Sequence, residues 1–312
     1  MAEGERMKSV VITGASSMLG IALVNQCIEN ETRVVALVRP ASSRTGRIPV
    51  SPLVRIVEAD AAAIAGIASG LNAGHDAWYH LAWAHTDRVG RNDPLLQKLN
   101  IDSTLAAVKA ARDLGCRVFI GVGSQAEYGR VNGSIAPDMR VAPEIAYGMA
   151  KYAAGRLSAL YAKELGIGHI WARVFSAYGP NDLPTTMIRY CISALLRRER
   201  PAFTRCEQLW DYIYCDDAAR ALYLLGQKGK DQGTYNIGSG VVRPLREYVY
   251  ALRDAVEPGL EVGIGELEYT QGQVMHLCAD ISNLKQDTGF VPKIGFEEGI
   301  RRTVKWAREN VG

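Results

Sequence analysis

The sequence, 312 residues long, has no apolar run approaching the length that spans a bilayer, so nothing in it argues for a membrane protein. Its first residues, Met1 to Lys8, are polar and lack the apolar core of a signal peptide. It carries little net charge. A formal +3 gives no electrostatic case for nucleic acid or a membrane surface as partner. The cysteines (Cys27, Cys116, Cys191, Cys206, Cys215 and Cys278) show neither metal-type spacing nor a small-scaffold framework. Several stand in apolar runs, so the expectation is buried thiols in a reducing cytoplasm. The histidines supply no HExxH pattern; His80 and His85 read as strand-end packing, and no metal site is expected. There is no internal repeat and no low-complexity segment. What remains is the composition of an ordinary globular protein, long enough for a large core and two lobes around a cleft.

Short β-branched runs alternate with helical patterns through the first half. Strands are expected at Ser9–Thr13, Arg33–Val38, Val54–Glu58, Trp78–Leu81, Arg117–Val122 and Gly168–Val174. Helices are expected at Met18–Glu29, Pro94–Leu114 and Ala146–Leu165, the second with Pro near its first turn, the last two followed by Gly115 and Gly166. This rhythm implies right-handed crossovers and an α/β fold: a Rossmann-like, doubly wound parallel sheet covered on both faces. Unbroken apolar strands such as Val10-Val11-Ile12 fit that burial. After Tyr178-Gly179-Pro180 the rhythm breaks. Helices near 185–198, 217–227, 244–256 and 296–309 and strand-like stretches at 212–215 and 234–237 follow. The expected division is a dinucleotide-binding domain over 1–175, to which 211–240 returns, and a smaller substrate-binding lobe made mainly of 176–312. In such sheets ligands bind beyond the carboxyl ends of the strands.

Thr13-Gly14-Ala15-Ser16-Ser17-Met18-Leu19-Gly20 joins the first strand to the first helix. Gly14 permits a tight turn, Gly20 lets helix and strand pack closely, and the helix N-terminus offers N–H groups to a pyrophosphate. Ser17 stands where a middle glycine is usual. Ser16, Ser17, Met18 and Leu19 are therefore expected at the cofactor together with the two glycines. The second strand ends at Arg39, followed by Ser42, Ser43 and Arg44. An acid here suits the ribose 2′-hydroxyl of NAD, whereas an arginine suits a 2′-phosphate, so NADP(H) is favoured over NAD(H). Asp60, with Ala61 beside it, is placed either to meet the adenine amino group or to cap a helix over 61–69.

Tyr147 and Lys151, four apart, share one face of a helix. An ammonium beside a phenol favours the phenolate. Such a tyrosine trades a proton with a substrate hydroxyl or carbonyl near neutral pH. Ser124, at the end of an apolar run, is placed to bond the same oxygen. With a nucleotide turn ahead of them, these residues form apparatus for moving a hydride to or from an oxygen-bearing carbon.

With these parts in this order the chain resembles the extended short-chain dehydrogenase/reductase family, which contains nucleotide-sugar epimerases, dehydratases and 4-ketoreductases. The resemblance covers nearly the whole length. Its marks are the turn 14–20, His80-Leu81-Ala82, Asn100, Ser124…Tyr128-Gly129, Tyr147-x-x-x-Lys151, Arg173-Val-Phe-Ser-Ala-Tyr-Gly-Pro180, the stretch Asp211 to Asp217, Asn236-Ile-Gly238, and Asp280 ahead of Leu284. It implies that Tyr147 is the acid/base, that Lys151 binds the nicotinamide ribose and tunes Tyr147, and that Ser124 orients the reacting oxygen. It also places Leu81, Ala82 and Val174 at the cofactor and Gln125 at the substrate. Within the family, 4,6-dehydratases carry an Asp-Glu pair after the Ser/Thr position; here those places hold Gln125 and Ala126. Glu127-Tyr128-Gly129 is similar to the ending common in reductases of 4-keto-6-deoxy nucleotide sugars. Epimerases usually hold NAD tightly and have an acid where this chain has Arg39.

Three departures concern the substrate diphosphate. Ser176 replaces an expected Asn, Trp210 an expected Arg, and no Arg is found near Thr270. Arg189, Arg205, Arg243 and Arg246 are the cations available to compensate, and Trp210 reads either as a stacking platform or as a packed core residue. The leading expectation is an NADPH-dependent ketoreductase acting on a nucleotide-linked keto-deoxy sugar. A sugar 4-epimerase is the alternative, and a non-catalytic NADP-binding protein the third reading. The resemblance implies a homodimer through helices 94–114 and 146–165, the pair through which relatives commonly dimerise; Leu99, Ala106, Ala107, Ala153 and Leu157 serve either that interface or packing on the sheet.

Overall fold

The computed structural model describes residues 6–60 and 63–310; Ala61 lies outside the described residues. In chain order the first half comprises β1 (Ser9–Thr13), α1 (Met18–Glu29), β2 (Arg33–Val38), β3 (Val54–Glu58), β4 (Ala77–His80), α2 (Pro94–Asp113), β5 (Val118–Ser124), β6 (Ser134–Ile135), α3 (Ala146–Leu165) and β7 (Gly168–Val174). The second half comprises β8 (Ser176–Tyr178), α4 (Met187–Leu196), β9 (Ala202–Phe203), β10 (Leu209–Trp210), β11 (Tyr212–Tyr214), α5 (Cys215–Lys228) and β12 (Gly233–Ile237). It continues with β13 (Arg243–Pro244), α6 (Leu245–Val256), β14 (Gly263–Ile264), β15 (His276–Ala279), α7 (Ser282–Thr288) and α8 (Phe296–Asn310).

The main sheet has seven parallel strands in the order β12-β7-β5-β4-β1-β2-β3. This is the expected doubly wound sheet, and its order reverses between β1 and β4. Alternate side chains of each strand serve opposite faces. Val10, Ile12, Tyr79 and Ile120 pack with Leu23 and Cys27 of α1 and with Ala218 and Leu222 of α5. Val11, Trp78 and Phe119 pack with Ala107, Val108 and Ala111 of α2 and Ala162 of α3. Ala107 therefore belongs to the core, whereas Leu99 and Leu157 are exposed. The helix signals read from the sequence operate: Asp93 caps α2 by accepting from Leu95 and Leu96 with Pro94 at its start, and Gly166 closes α3 at φ 70°.

The second half is less regular. β12 returns to the edge of the main sheet beside β7, and β11 pairs with β8. A four-stranded sheet, β13-β10-β15-β6, joins two-residue strands to β15 and draws β6 from the first half. These short pairings were not expected from the sequence, because two residues carry no alternation to read. The expected fourth strand begins one residue earlier than Trp78, and helix 217–227 is longer at both ends. All six cysteines are free thiols, five of them buried. No helix among the described residues is long and apolar enough to cross a membrane.

Candidate active site

The glycine turn sits at the carboxyl end of β1. Gly14 has φ 72°, and a Cβ there would lie 2.8 Å from the Ala82 nitrogen. Backbone thus meets backbone, and Leu81 and Ala82 form the wall beside the turn. At Gly20 a Cβ would fall 2.2 Å from the Gly14 oxygen, so helix and turn touch directly. Ser17 caps α1: its hydroxyl donates to the Gly14 carbonyl (2.8 Å) and accepts from Gly20 N–H (3.1 Å). Ser17 therefore serves the turn itself, while the first N–H groups of α1, at Met18 and Leu19, have no intrahelical acceptor and face an anion's place. This close turn, with small residues at Gly14, Ala15, Ser16 and Ser17, is one that can hold a dinucleotide's pyrophosphate. Arg39 and Arg44 are exposed beyond β2, in a turn where Ser42 N–H donates to the Arg39 carbonyl (3.2 Å) and Arg44 N–H to the Ser42 hydroxyl (3.3 Å).

Ser124 ends β5 at the register partner of Val174 on β7. It caps a short turn, accepting from Ala126 N–H (3.2 Å), while its own N–H donates to the Glu127 carboxylate (2.9 Å). Glu127 is fully buried. Its two oxygens also accept from Trp171 Nε1 (3.0 and 3.2 Å) and Arg173 Nε (2.7 Å). Arg173 completes itself on the Tyr128 hydroxyl (2.8 Å) and the Pro137 carbonyl (3.0 Å). The Trp171 ring lies where side chains would otherwise stand. A Cβ on Gly121 would come within 2.2 Å of the indole, one on Gly123 within 2.4 Å of both Nε1 and Glu127, and one on Gly155 of α3 within 2.7 Å. Those three glycines make the slot that lets Trp171 hold Glu127. Read from the sequence, Glu127 was only part of a motif. Its burial could be sought in the Glu-Tyr-Gly ending, but its partners could not.

Tyr147 and Lys151 occupy the first turns of α3, facing Ser124. Burial raises the Tyr147 pKa, and the Ser124 hydroxyl and then Arg91 draw it back down. Arg91 lies 4.3 Å from the Tyr147 ring centre, whereas the Lys151 ammonium is 6.0 Å away. The cation nearest this phenol ring is thus Arg91, with the Lys151 ammonium farther out. Lys151, 4 % exposed, instead donates to the Val122 carbonyl (2.5 Å) and stands 3.7 Å over Trp83. Trp83 is fixed by its Nε1 donating to Gln97 (2.9 Å), and its edge meets Tyr147 at 6.0 Å. Asn100 and Gln97 of α2 hold the loop after β4: Asn100 bonds both backbone groups of Ala84, and Gln97 donates to the His85 and Gly90 carbonyls. Sequence reading missed Trp83 and Arg91. The signal for Trp83 was its place one residue beyond His80-Leu81-Ala82.

The substrate-side residues divide. Ser176 and Trp210, both replacing expected polar anchors, touch each other: Trp210 Nε1 donates to the Ser176 hydroxyl (2.8 Å). Trp210 is half-buried in an aromatic group with Tyr212. Gln125 lies in the turn after Ser124. Arg205 is exposed and paired with Glu207 (3.4 Å), Arg243 is paired with Glu297 (2.5 Å), and Arg189 is buried in α4. Asp60 follows β3, its carbonyl accepting from Ile64 N–H (3.1 Å). Among the described residues no group of three or more His, Cys, Asp or Glu is arranged to hold a metal. His80 is buried, bonded to Thr13 (2.9 Å), and burial pushes its pKa down to about 3.

Burial pushes the Lys151 pKa down from 10.5 to about 7, with the Glu127 charge opposing. Between those values the unfolded chain binds the proton that the folded chain releases, so wild-type stability rises with pH across that window. Lys151→Met removes the group. Its melting temperature should exceed that of the wild type most below about pH 7 and converge on it toward pH 10.5. Thermal unfolding across that range checks this; a pH-independent difference would contradict it.

Residues 10–238 match the NAD dependent epimerase/dehydratase family. A curated relative, the dTDP-glucose 4,6-dehydratase of Streptomyces antibioticus, is 25% identical over 313 residues, covering 97% of this chain and 93% of its own. Among solved structures, the UDP-N-acetylglucosamine 4-epimerase of Methanobrevibacter ruminantium M1 superposes with a TM-score of 0.89 at 24% identity, covering 98% of this chain and all of its own. The dTDP-glucose 4,6-dehydratase DesIV of Streptomyces venezuelae, solved with NAD, gives 0.85 at 23% identity, covering 97% of each chain. With nearly three-quarters of its length inside the matched region, the chain belongs to the NAD dependent epimerase/dehydratase family.

Proposed function

We propose that this protein is a cytoplasmic, NADPH-dependent reductase of a 4-keto-(6-deoxy) nucleotide sugar. The observation that carries the reading is a Ser124–Tyr147–Lys151 site whose neighbours, Gln125 and Ala126, lack the carboxyl groups that an elimination needs. The bound reduced nicotinamide supplies the hydride. Tyr147 gives its hydroxyl proton to the substrate oxygen as the C4 carbonyl becomes an alcohol, and Ser124 bonds that oxygen throughout. Arg91 over the Tyr147 ring stabilises the phenolate left behind, and the Lys151 ammonium is at hand to engage the nicotinamide ribose. Glu127 is not the missing acid: its oxygens are spent on Ser124, Trp171 and Arg173.

The preference for NADP(H) rests on Arg39, with Ser42 and Arg44 in the same turn and no acid at the end of β2. Residues 1–175 with 211–240 would carry the cofactor, and most of 176–312 the substrate. A homodimer is proposed through the outer faces of α2 and α3, where Leu95, Leu99, Met149, Leu157 and Leu160 are exposed. A 4-epimerase remains the second reading, because the same three residues serve it and a 4-epimerase shares the fold at a TM-score of 0.89.

Tyr147→Phe should lower turnover with a keto-sugar panel by about 10²–10⁴-fold while leaving cofactor affinity unchanged. Retained turnover would remove Tyr147 as the acid. Mass spectrometry of nucleotide released from the denatured protein separates the two readings. NADP(H), or an empty site preferring NADPH, fits the reductase; stoichiometric NAD fits the epimerase.

A further inference from the structure

The face of the main sheet that α2 and α3 cover is not covered to its edge. There Trp171 and Arg173 of β7 stand beside Thr234 and Asn236 of β12, the edge strand. Loop 136–141 and the start of α7 close over this corner incompletely and leave an open cavity of about 960 Å³. Gly155 and Arg156 of α3 form one wall, Asn283 and Gln286 of α7 another, and Trp171 and Arg173 the floor. Gly14, Ser124, Tyr147 and Lys151 take no part in it, so it is a different place from the catalytic cleft.

Three guanidiniums line this cavity. Arg173 is 6 % exposed, and its bonds to Glu127, Tyr128 and Pro137 use only Nε and Nη1. Its Nη2 has no partner among the described residues and, unlike the Arg189 Nη1, is not sealed off from solvent. Arg140 and Arg156 are exposed and form no ion pair or side-chain hydrogen bond among the described residues. Glu144, four residues beyond Arg140, is taken by Arg130 (2.8 Å). Of the carboxylates at the cavity, Glu127 is held by Arg173, and Asp280 accepts from Ser282 N–H (2.8 Å). Asp138, exposed and without a partner among the described residues, is the opposing charge.

The unspent groups are thus mainly arginine N–H donors, and a guanidinium fork matches a phosphate. The hydroxyls of Tyr152 and Thr234 and the Gln286 amide also line the cavity without side-chain partners, which suits a hydroxylated body. Inorganic phosphate would fill little of this space; the volume is that of a site for an organic ligand. We infer that the cavity is a second binding site, for a small organic phosphate: a phosphorylated sugar or a nucleoside monophosphate. Its phosphate lies among Arg140, Arg156 and the free edge of Arg173, and its hydroxyls meet Tyr152, Thr234 and Gln286. The floor is the ion pair whose carboxylate also accepts from Ser124 N–H (2.9 Å), so an occupant touches the network that positions a catalytic residue.

The full chain is titrated calorimetrically with glucose 1-phosphate, AMP and UMP, with glucose and adenosine as controls without phosphate. At least one of the phosphates should bind and both controls should not; whether the sugar or the nucleoside phosphate binds more tightly names the ligand. A nucleotide can also enter the catalytic cleft, so hydrogen exchange locates the occupant. Binding at the cavity should protect 136–141 and 282–286 and leave the turn 14–20 unchanged. The double variant Arg140→Ala/Arg156→Ala changes only exposed side chains, so it should melt as the wild type does and bind at least about 10-fold more weakly. Asp138→Asn, which removes the opposing charge, should bind more tightly. Absence of binding by all three phosphates, equal binding of the controls, protection confined to the turn 14–20, or a double variant that binds as the wild type does would each overturn the proposal. None of these readouts depends on turnover, so the ketoreductase reading can fail and leave this site standing.

Discussion

The Glu127–Arg173 ion pair is the constraint on which the catalytic half of this molecule depends. A carboxylate with no exposed surface is costly unless every lone pair is met. Here the Ser124 N–H, the Trp171 indole and the Arg173 guanidinium meet it, and Tyr128 and Pro137 complete the arginine. The carboxylate thereby fixes the backbone of Ser124 at the carboxyl end of β5. Gly121, Gly123 and Gly155 are required because Trp171 fills the space above them. Tyr128 passes the network to Asn236 on β12 (2.7 Å), so one buried polar chain crosses from β5 to the sheet edge. Such a network, once satisfied, admits a single arrangement.

Around that fixed point the site is asymmetric. Toward the cofactor, backbone approaches backbone at Gly14, Ala82 and Gly20, leaving little freedom. In the C-terminal lobe, Trp210 Nε1 donates to the Ser176 hydroxyl, and the buried Arg189 guanidinium lies over Trp306. The aromatic group Trp210, Tyr212, Tyr248 and Phe296 packs β10 and β11 against α6 and α8 within that lobe. The fold is shared with family members whose reactions differ, so the reaction has to be argued from the site's own residues and not from the fold.

Much of the fold could be read from the sequence, because β1, α1, β2, β3, α3 and β7 are long, strongly patterned and closed by caps or glycines. Their limits agree with the expectation. Ser124, Tyr147, Lys151 and the glycine turn could be singled out for the same reason: they stand at element ends that local pattern defines. Trp83, Arg91 and Trp171 were not legible. Each acts through a neighbour brought near by the sheet, at separations in sequence that no local period encodes. Lys151 shows the limit of spacing as evidence. The i, i+4 relation with Tyr147 is real, but the tertiary environment turned its ammonium toward Trp83 and Val122 and left Arg91 on the phenol.

The most direct test of this account is the unfolding free energy of Glu127→Gln, Arg173→Met and the double variant. If the buried pair organises the site, each single change should cost about 3–5 kcal/mol, because it strands the partner's charge or its bonds. The double variant should then cost much less than the sum of the two. Small, additive losses would contradict the account and leave Ser124 positioned by the strand alone.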